Sequence, residues 1–170
     1  MVRSRSSENL VPAPELIRMI EGEHLATTTA SIDRIKVLLD SASHIDTKNN
    51  PQLDTIHIRF MELEALYHNH LEKEFKLIFP VFKSKKLTKG LTKTQLAHQI
   101  QLLKKDHAEM KEILAHIRKI SDGFQAHPGS SPTLKLSFAE FFRLEQELKT
   151  HFFLEEEALF PELIKILNKF

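Results

Sequence analysis

The sequence predicts an all-α chain, an antiparallel up-down-up-down four-helix bundle, and three observations predict it. Apolar residues recur at steps of three and four through four stretches of about 30 residues each. Glycine is scarce, 4 in 170 residues, and no stretch alternates as a half-buried strand would. Three polar breaks, DTKNNP, KLTKGLT and DGFQAHPGSSPT, separate the stretches and are short enough to join antiparallel neighbours.

The elements follow in order. Residues 1–13 are polar and proline-containing and read as a disordered tail; residues 14–170 read as one helical domain. The first helix is expected over about 15–43, with Ile17, Ile20, His24, Thr27 and Ser31 on its inner stripe. The second spans about 52–86 and turns Leu63, Tyr67, His70, Glu74 and Leu77 inward. The third, about 93–121 with Thr92 as N-cap, carries the cleanest seam: Leu96, Ile100, Leu103, His107, Met110, Leu114 and Ile117. The fourth runs from about 134 to the C-terminus with Thr133 as N-cap, and its stripe is Leu144, Leu148, His151, Glu155 and Leu159. Each helix thus points polar or ionisable groups inward near its middle.

Composition excludes several classes of function. Lys+Arg number 24 against 23 Asp+Glu, so no bulk charge favours nucleic acid or an acidic membrane. Cysteine is absent, which removes disulfides, thiolate metal sites and a cysteine nucleophile. No run approaches the ~18 apolar residues of a membrane span, and the N-terminal residues lack an apolar secretory region. A cytoplasmic location is expected. Ten histidines are many for this length and point to metal or acid–base chemistry.

Four of those histidines belong to a repeat. HLEKEFKLIFP begins at His70 and HFFLEEEALFP at His151; both read H-x3-E-x4-F-P, 81 residues apart. Upstream of each lies an acidic–His pair, Glu23–His24 and Asp106–His107, 83 residues apart. The chain reads as two copies of one helical hairpin, each supplying two histidines and one glutamate. Residues four apart lie about 40° apart around a helix and about 6 Å along it, so His70 with Glu74, and His151 with Glu155, reach one centre.

A carboxylate buried without a partner costs several kcal/mol, and one divalent cation, or two, removes that cost. Two carboxylates suffice to bridge two metals, and four imidazoles to cap them. Mixed nitrogen and oxygen ligands with open positions suit iron best, with manganese or zinc as possible alternatives. Each ligating histidine also needs an acceptor for its other ring N–H. The remaining histidines, His44, His57, His68, His98, His116 and His127, fall off these faces or in the breaks and are expected at the surface. So are Glu156 and Glu157, with replacement of Glu155 as ligand by one of them as the alternative; Glu23 and Asp106 read first as solvated carboxylates and second as gates for solvent or protons. Tyr67, one turn before His70, reads first as packing and second as a group lining the site or taking part in redox chemistry. Phe79–Pro80 and Phe160–Pro161 read as devices that bend the helices.

On these residues the chain resembles the hemerythrin-like, or HHE cation-binding, family over about residues 15–168. The resemblance implies a hemerythrin-like four-helix metal-binding domain around a non-haem di-iron centre. It implies that Glu74 and Glu155 bridge the two Fe ions, together with an oxo or hydroxo group. His24 and His70 would bind one metal, His107 and His151 the other. Oxygen-carrying hemerythrins differ: they have a further histidine four residues after the third-helix position, where Lys111 stands here, and a final H-x4-D. The four-His, two-Glu set is closer to the repair-of-iron-centres proteins, which commonly carry a cysteine-containing N-terminal region that this chain lacks.

The leading expectation is a protein that binds or responds to a small diatomic or peroxide ligand: O2, NO or reactive oxygen species. The alternatives are an iron donor in repair of damaged iron–sulfur centres, an enzyme turning over peroxide or NO, and a metal-free helical interaction bundle. Neither a nucleic-acid partner nor a membrane is expected.

Overall fold

The computed structural model describes residues 13–87 and 89–169, apart from the side chains of residues 13, 14, 23 and 24. The expected tail therefore falls almost wholly outside the described residues. The first helix covers residues 13–46, the second 53–84, the third 93–120 and the fourth 132–167, and no strand occurs among the described residues. Contacts between helices fix their directions. Lys36 pairs with Glu64 and Asp40 with His57; His70 meets His107 and Lys73 pairs with Asp106; Lys111 pairs with Glu156 and Arg118 with Glu145. As one residue number rises its partner's falls, so neighbours run antiparallel. The first helix packs most extensively on the fourth, and the second on the third.

Local chemistry sets the helix ends. Thr92 caps the third helix as expected: its hydroxyl accepts from the Gln95 N–H, and the Gln95 side chain accepts from the Thr92 N–H. The fourth helix begins earlier than expected. Ser131, not Thr133, is its N-cap, accepting from the Leu134 N–H. Pro132 suits the first helical position because its fixed φ is helical and it has no N–H to leave unpaired. The Ser131 hydroxyl and N–H both donate to the Asp46 carboxylate, at 2.5 and 3.0 Å, which ties this loop to the end of the first helix.

Three of the four helices contain a wide π turn at mid-bundle height. These turns are Ile20–His24, Glu74–Ile78 and Glu155–Leu159. The Phe79 N–H donates to the Glu74 carbonyl and the Phe160 N–H to the Glu155 carbonyl, five residues back. The expected proline bends take this form. Pro80 and Pro161 cannot donate, and their rings crowd the carbonyl one turn back; a wider turn removes both conflicts without ending the helix.

The core is divided. One apolar cluster, with Phe60, Leu63, Leu114, Phe141 and Leu148, fills one end of the bundle. A second, with Ile17, Phe82, Leu96, Ile100 and Leu163, fills the other. Between them lies a buried polar layer.

Candidate metal centre

The polar layer is built from side chains that the helical repeat turns inward. His70, Glu74, His107, His151 and Glu155 are all buried completely. The Glu74 N–H donates to the His70 carbonyl, and the Glu155 N–H to the His151 carbonyl, so each H-x3-E pair sits on a regular α turn and shares one face. The wide turns begin at the glutamates themselves.

The donor atoms converge. One ligand atom from each of His70, Glu74, His151 and Glu155 lies within 4.8 Å of every other. Glu155 is central: its Oε2 is 2.9 Å from His107 Nε2 and 3.5 Å from His70 Nε2, and its Oε1 is 2.5 Å from His151 Nε2. Glu74 Oε2 lies 3.6 Å from His70 Nε2 and 3.9 Å from His151 Nε2. The Nε2 atoms of His107 and His70 are 3.3 Å apart.

For the two carboxylates, close approach does not amount to hydrogen bonding. Both oxygens of Glu74, both of Glu155 and Nε2 of His151 lack a hydrogen-bond partner of acceptable geometry. Donor atoms this close together without hydrogen bonds between them are what a shared cation would satisfy. Such orphaned atoms are rare in a folded interior, and charged ones are expensive. The imidazole and carboxylate set fits a divalent transition metal, with iron favoured by ligand chemistry.

Electrostatics separate the two carboxyls. Burial and the neighbouring Glu155 charge hold Glu74 well above the usual carboxylate range. Burial pushes Glu155 up as well, but His151, His107 and His70 outweigh it and hold Glu155 well below that range. The two glutamates thus share the layer unequally, one favouring its proton and one its charge.

Two further carboxylates stand behind the histidines. Glu156 Oε1 is 2.8 Å from His107 Nδ1 and takes a 3.1 Å bond from Lys111 Nζ. Asp106 Oδ2 takes a 2.7 Å bond from Lys73 Nζ and faces His70 Nδ1 at 3.6 Å, just beyond hydrogen-bond reach. Carboxylates there favour a proton on Nδ1 and leave the Nε2 lone pairs directed inward. Burial lowers His70's proton affinity, but Asp106 and Glu155 outweigh it and raise it overall. The His107 ring is held between Phe152 and Phe160, stacked at 4.2 and 5.8 Å.

The structure brings together five of the six residues predicted from the sequence. The side chain of the sixth, His24, lies outside the described residues, as does that of Glu23. His44, His68, His98 and His127 are exposed as expected, whereas His57 and His116 are half-buried, away from the centre. Two expectations are corrected. Asp106 is buried, only 7% exposed, and Glu156 is half-buried against His107; neither is a solvated bystander. Each lies directly beside a site residue in sequence and so points about 100° from the centre; which helix it meets there is set by the packing, not by the sequence.

The family description "Hemerythrin HHE cation binding domain" matches residues 15–163. The chain belongs to this family. Within the hemerythrin HHE family it is similar to the iron–sulfur cluster repair protein ScdA of Staphylococcus haemolyticus (strain JCSC1435), with 23% identity over 148 residues. That match covers 87% of this chain and 66% of ScdA, so the chain spans slightly less than two thirds of its relative's length. The buried His and Glu cluster is accordingly read as a hemerythrin-type metal site. No helix among the described residues is long and apolar enough to cross a membrane.

Proposed function

We propose that this hemerythrin HHE domain holds two iron ions and uses them to bind a small diatomic or peroxide ligand in the cytoplasm. Glu74 and Glu155 would bridge the ions. His24 and His70 would bind one of them, His107 and His151 the other. The observation that carries this reading is the set of four glutamate oxygens, buried between imidazoles without a hydrogen-bond donor. Iron would supply open coordination positions and redox chemistry. The chain's own contribution is to fix donor directions through Asp106 and Glu156 and to exclude water by packing Phe152 and Phe160 around His107.

The similarity to ScdA favours a second reading, in which iron leaves the site for damaged iron–sulfur clusters. One experiment separates the two. The purified chain is loaded anaerobically with ferrous iron, its metal content measured, and its near-ultraviolet and visible spectrum followed as NO, peroxide or O2 is added. Two irons per chain, retained with a ligand-dependent spectrum, support small-ligand binding. Iron lost to an apo iron–sulfur acceptor supports donation. No iron uptake refutes both and leaves the metal-free interaction bundle.

A further inference from the structure

The two halves of the chain repeat at offsets of 81 and 83 residues, and beside the centre two pairs of corresponding positions differ. Tyr67 precedes His70 by three residues, as Leu148 precedes His151. Thr28 follows His24 by four residues, as Lys111 follows His107. One side of the layer therefore carries leucine and lysine where the other carries a phenol and a hydroxyl.

Their surroundings differ correspondingly. Leu148 and Lys111 line an open cavity of about 150 Å³ between the third and fourth helices, and Lys111 Nζ is already engaged by Glu156. Tyr67 and Thr28 are buried completely. The Tyr67 phenol lies against Thr28 and Thr29 and within the field of the Glu74 and Glu155 carboxylates. Neither the Tyr67 nor the Thr28 hydroxyl has a hydrogen-bond partner of acceptable geometry among the described residues. A buried tyrosine hydroxyl normally finds one. Packing does not require this hydroxyl, since the chain uses phenylalanine 12 times and tyrosine once.

We propose that Tyr67, with Thr28 beside it, is the hydrogen-bond donor to a small anionic or diatomic ligand held at the metal centre. The inference rests on the small-ligand reading above and adds a direction: the ligand lies on the Tyr67 side, not on the side of Leu148. A phenol carries its proton in the neutral range, so an unpartnered one can donate. Thr28, beside it, offers a second unpartnered hydroxyl to the same ligand.

The test compares wild type with Tyr67→Phe after iron loading, with azide and NO as probes. The variant is expected to hold the same iron and to bind azide about three- to tenfold more weakly, the worth of one hydrogen bond. The bound-ligand stretching frequency should shift in D2O for wild type and not for the variant. The metal-free variant should melt no lower than wild type, because the hydroxyl lost had no partner. Equal azide affinity with equal isotope shifts overturns the inference and leaves small-ligand binding intact. So does a visible phenolate-to-iron band in wild type, which would make Tyr67 a ligand instead of a donor. A lower melting temperature of the metal-free variant also overturns it, by assigning the hydroxyl to the fold. Iron-loaded wild type that binds neither probe refutes the small-ligand reading itself, and the inference with it. Should the phenylalanine variant not take up iron, Thr28→Val replaces it: weaker azide binding is expected, and unchanged affinity overturns the inference.

Discussion

Replacing Glu74 by leucine separates the two ways a buried carboxylate can be accommodated. Glu74 is fully buried, and neither of its oxygens has a donor. An unpartnered buried polar group costs about 1–3 kcal/mol, and substituting an apolar side chain of similar volume recovers that. For a domain of this length 1 kcal/mol moves the melting temperature by about 2–4 °C. The metal-free Glu74→Leu protein is therefore expected to melt roughly 2–12 °C higher than metal-free wild type. The sign with pH follows from the raised pKa of Glu74. The folded state binds this proton more tightly than the unfolded state. Wild-type stability is thus fullest below the unfolded value near 4.5 and falls as pH rises toward the folded one, so the leucine variant's advantage grows above that value. Metal reverses the order. A cation present at a hundred times its dissociation constant adds about 2.7 kcal/mol to wild type, and most of that is absent once a ligand is removed. Calorimetric melts of both proteins, with chelator and with anaerobic ferrous iron, give four temperatures. A metal-free variant that melts below metal-free wild type would show that the protein itself partners Glu74. A variant that keeps the full metal-dependent shift would show that Glu74 is not a ligand.

Other expectations follow from neighbouring contacts. Glu156→Ala should weaken metal binding about 10- to 100-fold by releasing His107 Nδ1, and a competition titration with a chromophoric chelator reads this. Glu145, held by Arg118 and Lys149, has a pKa below the usual range, so its contribution is full above about pH 4.5 and lost as pH falls through the folded value. Urea melts of wild type and Glu145→Gln should accordingly differ at pH 6 and converge in acid; a constant difference would refute the linkage. Phe141 meets Phe60 edge-on at 5.6 Å and stacks on Phe124 at 5.7 Å, so Phe141→Ala should cost about 3–5 kcal/mol in denaturant unfolding.

The fold was legible because every helix carries a long apolar stripe and the breaks between helices are chemically distinct. The candidate site was legible because histidine and glutamate interrupt those stripes at matching positions in both halves of the chain. Less legible were features that depend on a third dimension. Thr133 and Ser131 are both plausible caps by residue type; the Asp46 carboxylate, 85 residues away, favours Ser131 by engaging its hydroxyl and N–H. Asp106 and Glu156 are ordinary helix-surface residues by sequence. Their roles arise because the second helix presents His70 to Asp106, and the third presents His107 to Glu156. Periodicity within one helix says nothing about which neighbour a residue flanking the stripe will meet.

The wide turns connect the sequence repeat to the centre. A regular helix advances 100° per residue, and one extra residue in a turn offsets everything beyond it relative to the stripe before it. In the second and fourth helices the extra residue enters at the glutamate, and the Phe-Pro pair five and six residues on maintains the widened turn by denying the tighter bonds. Before the turn the stripe presents Leu63 or Leu144 to one apolar cluster; after it, Phe82 or Leu163 meets the other. The polar layer therefore sits where the backbone changes phase, between two cores that each keep their own packing. The first helix makes the same change at Ile20–His24 without a proline. The third makes none, and His107 sits on unbroken α-helix. That helix serves as the fixed reference against which the others are set, and its histidine is correspondingly the one clamped by two aromatic rings and a carboxylate.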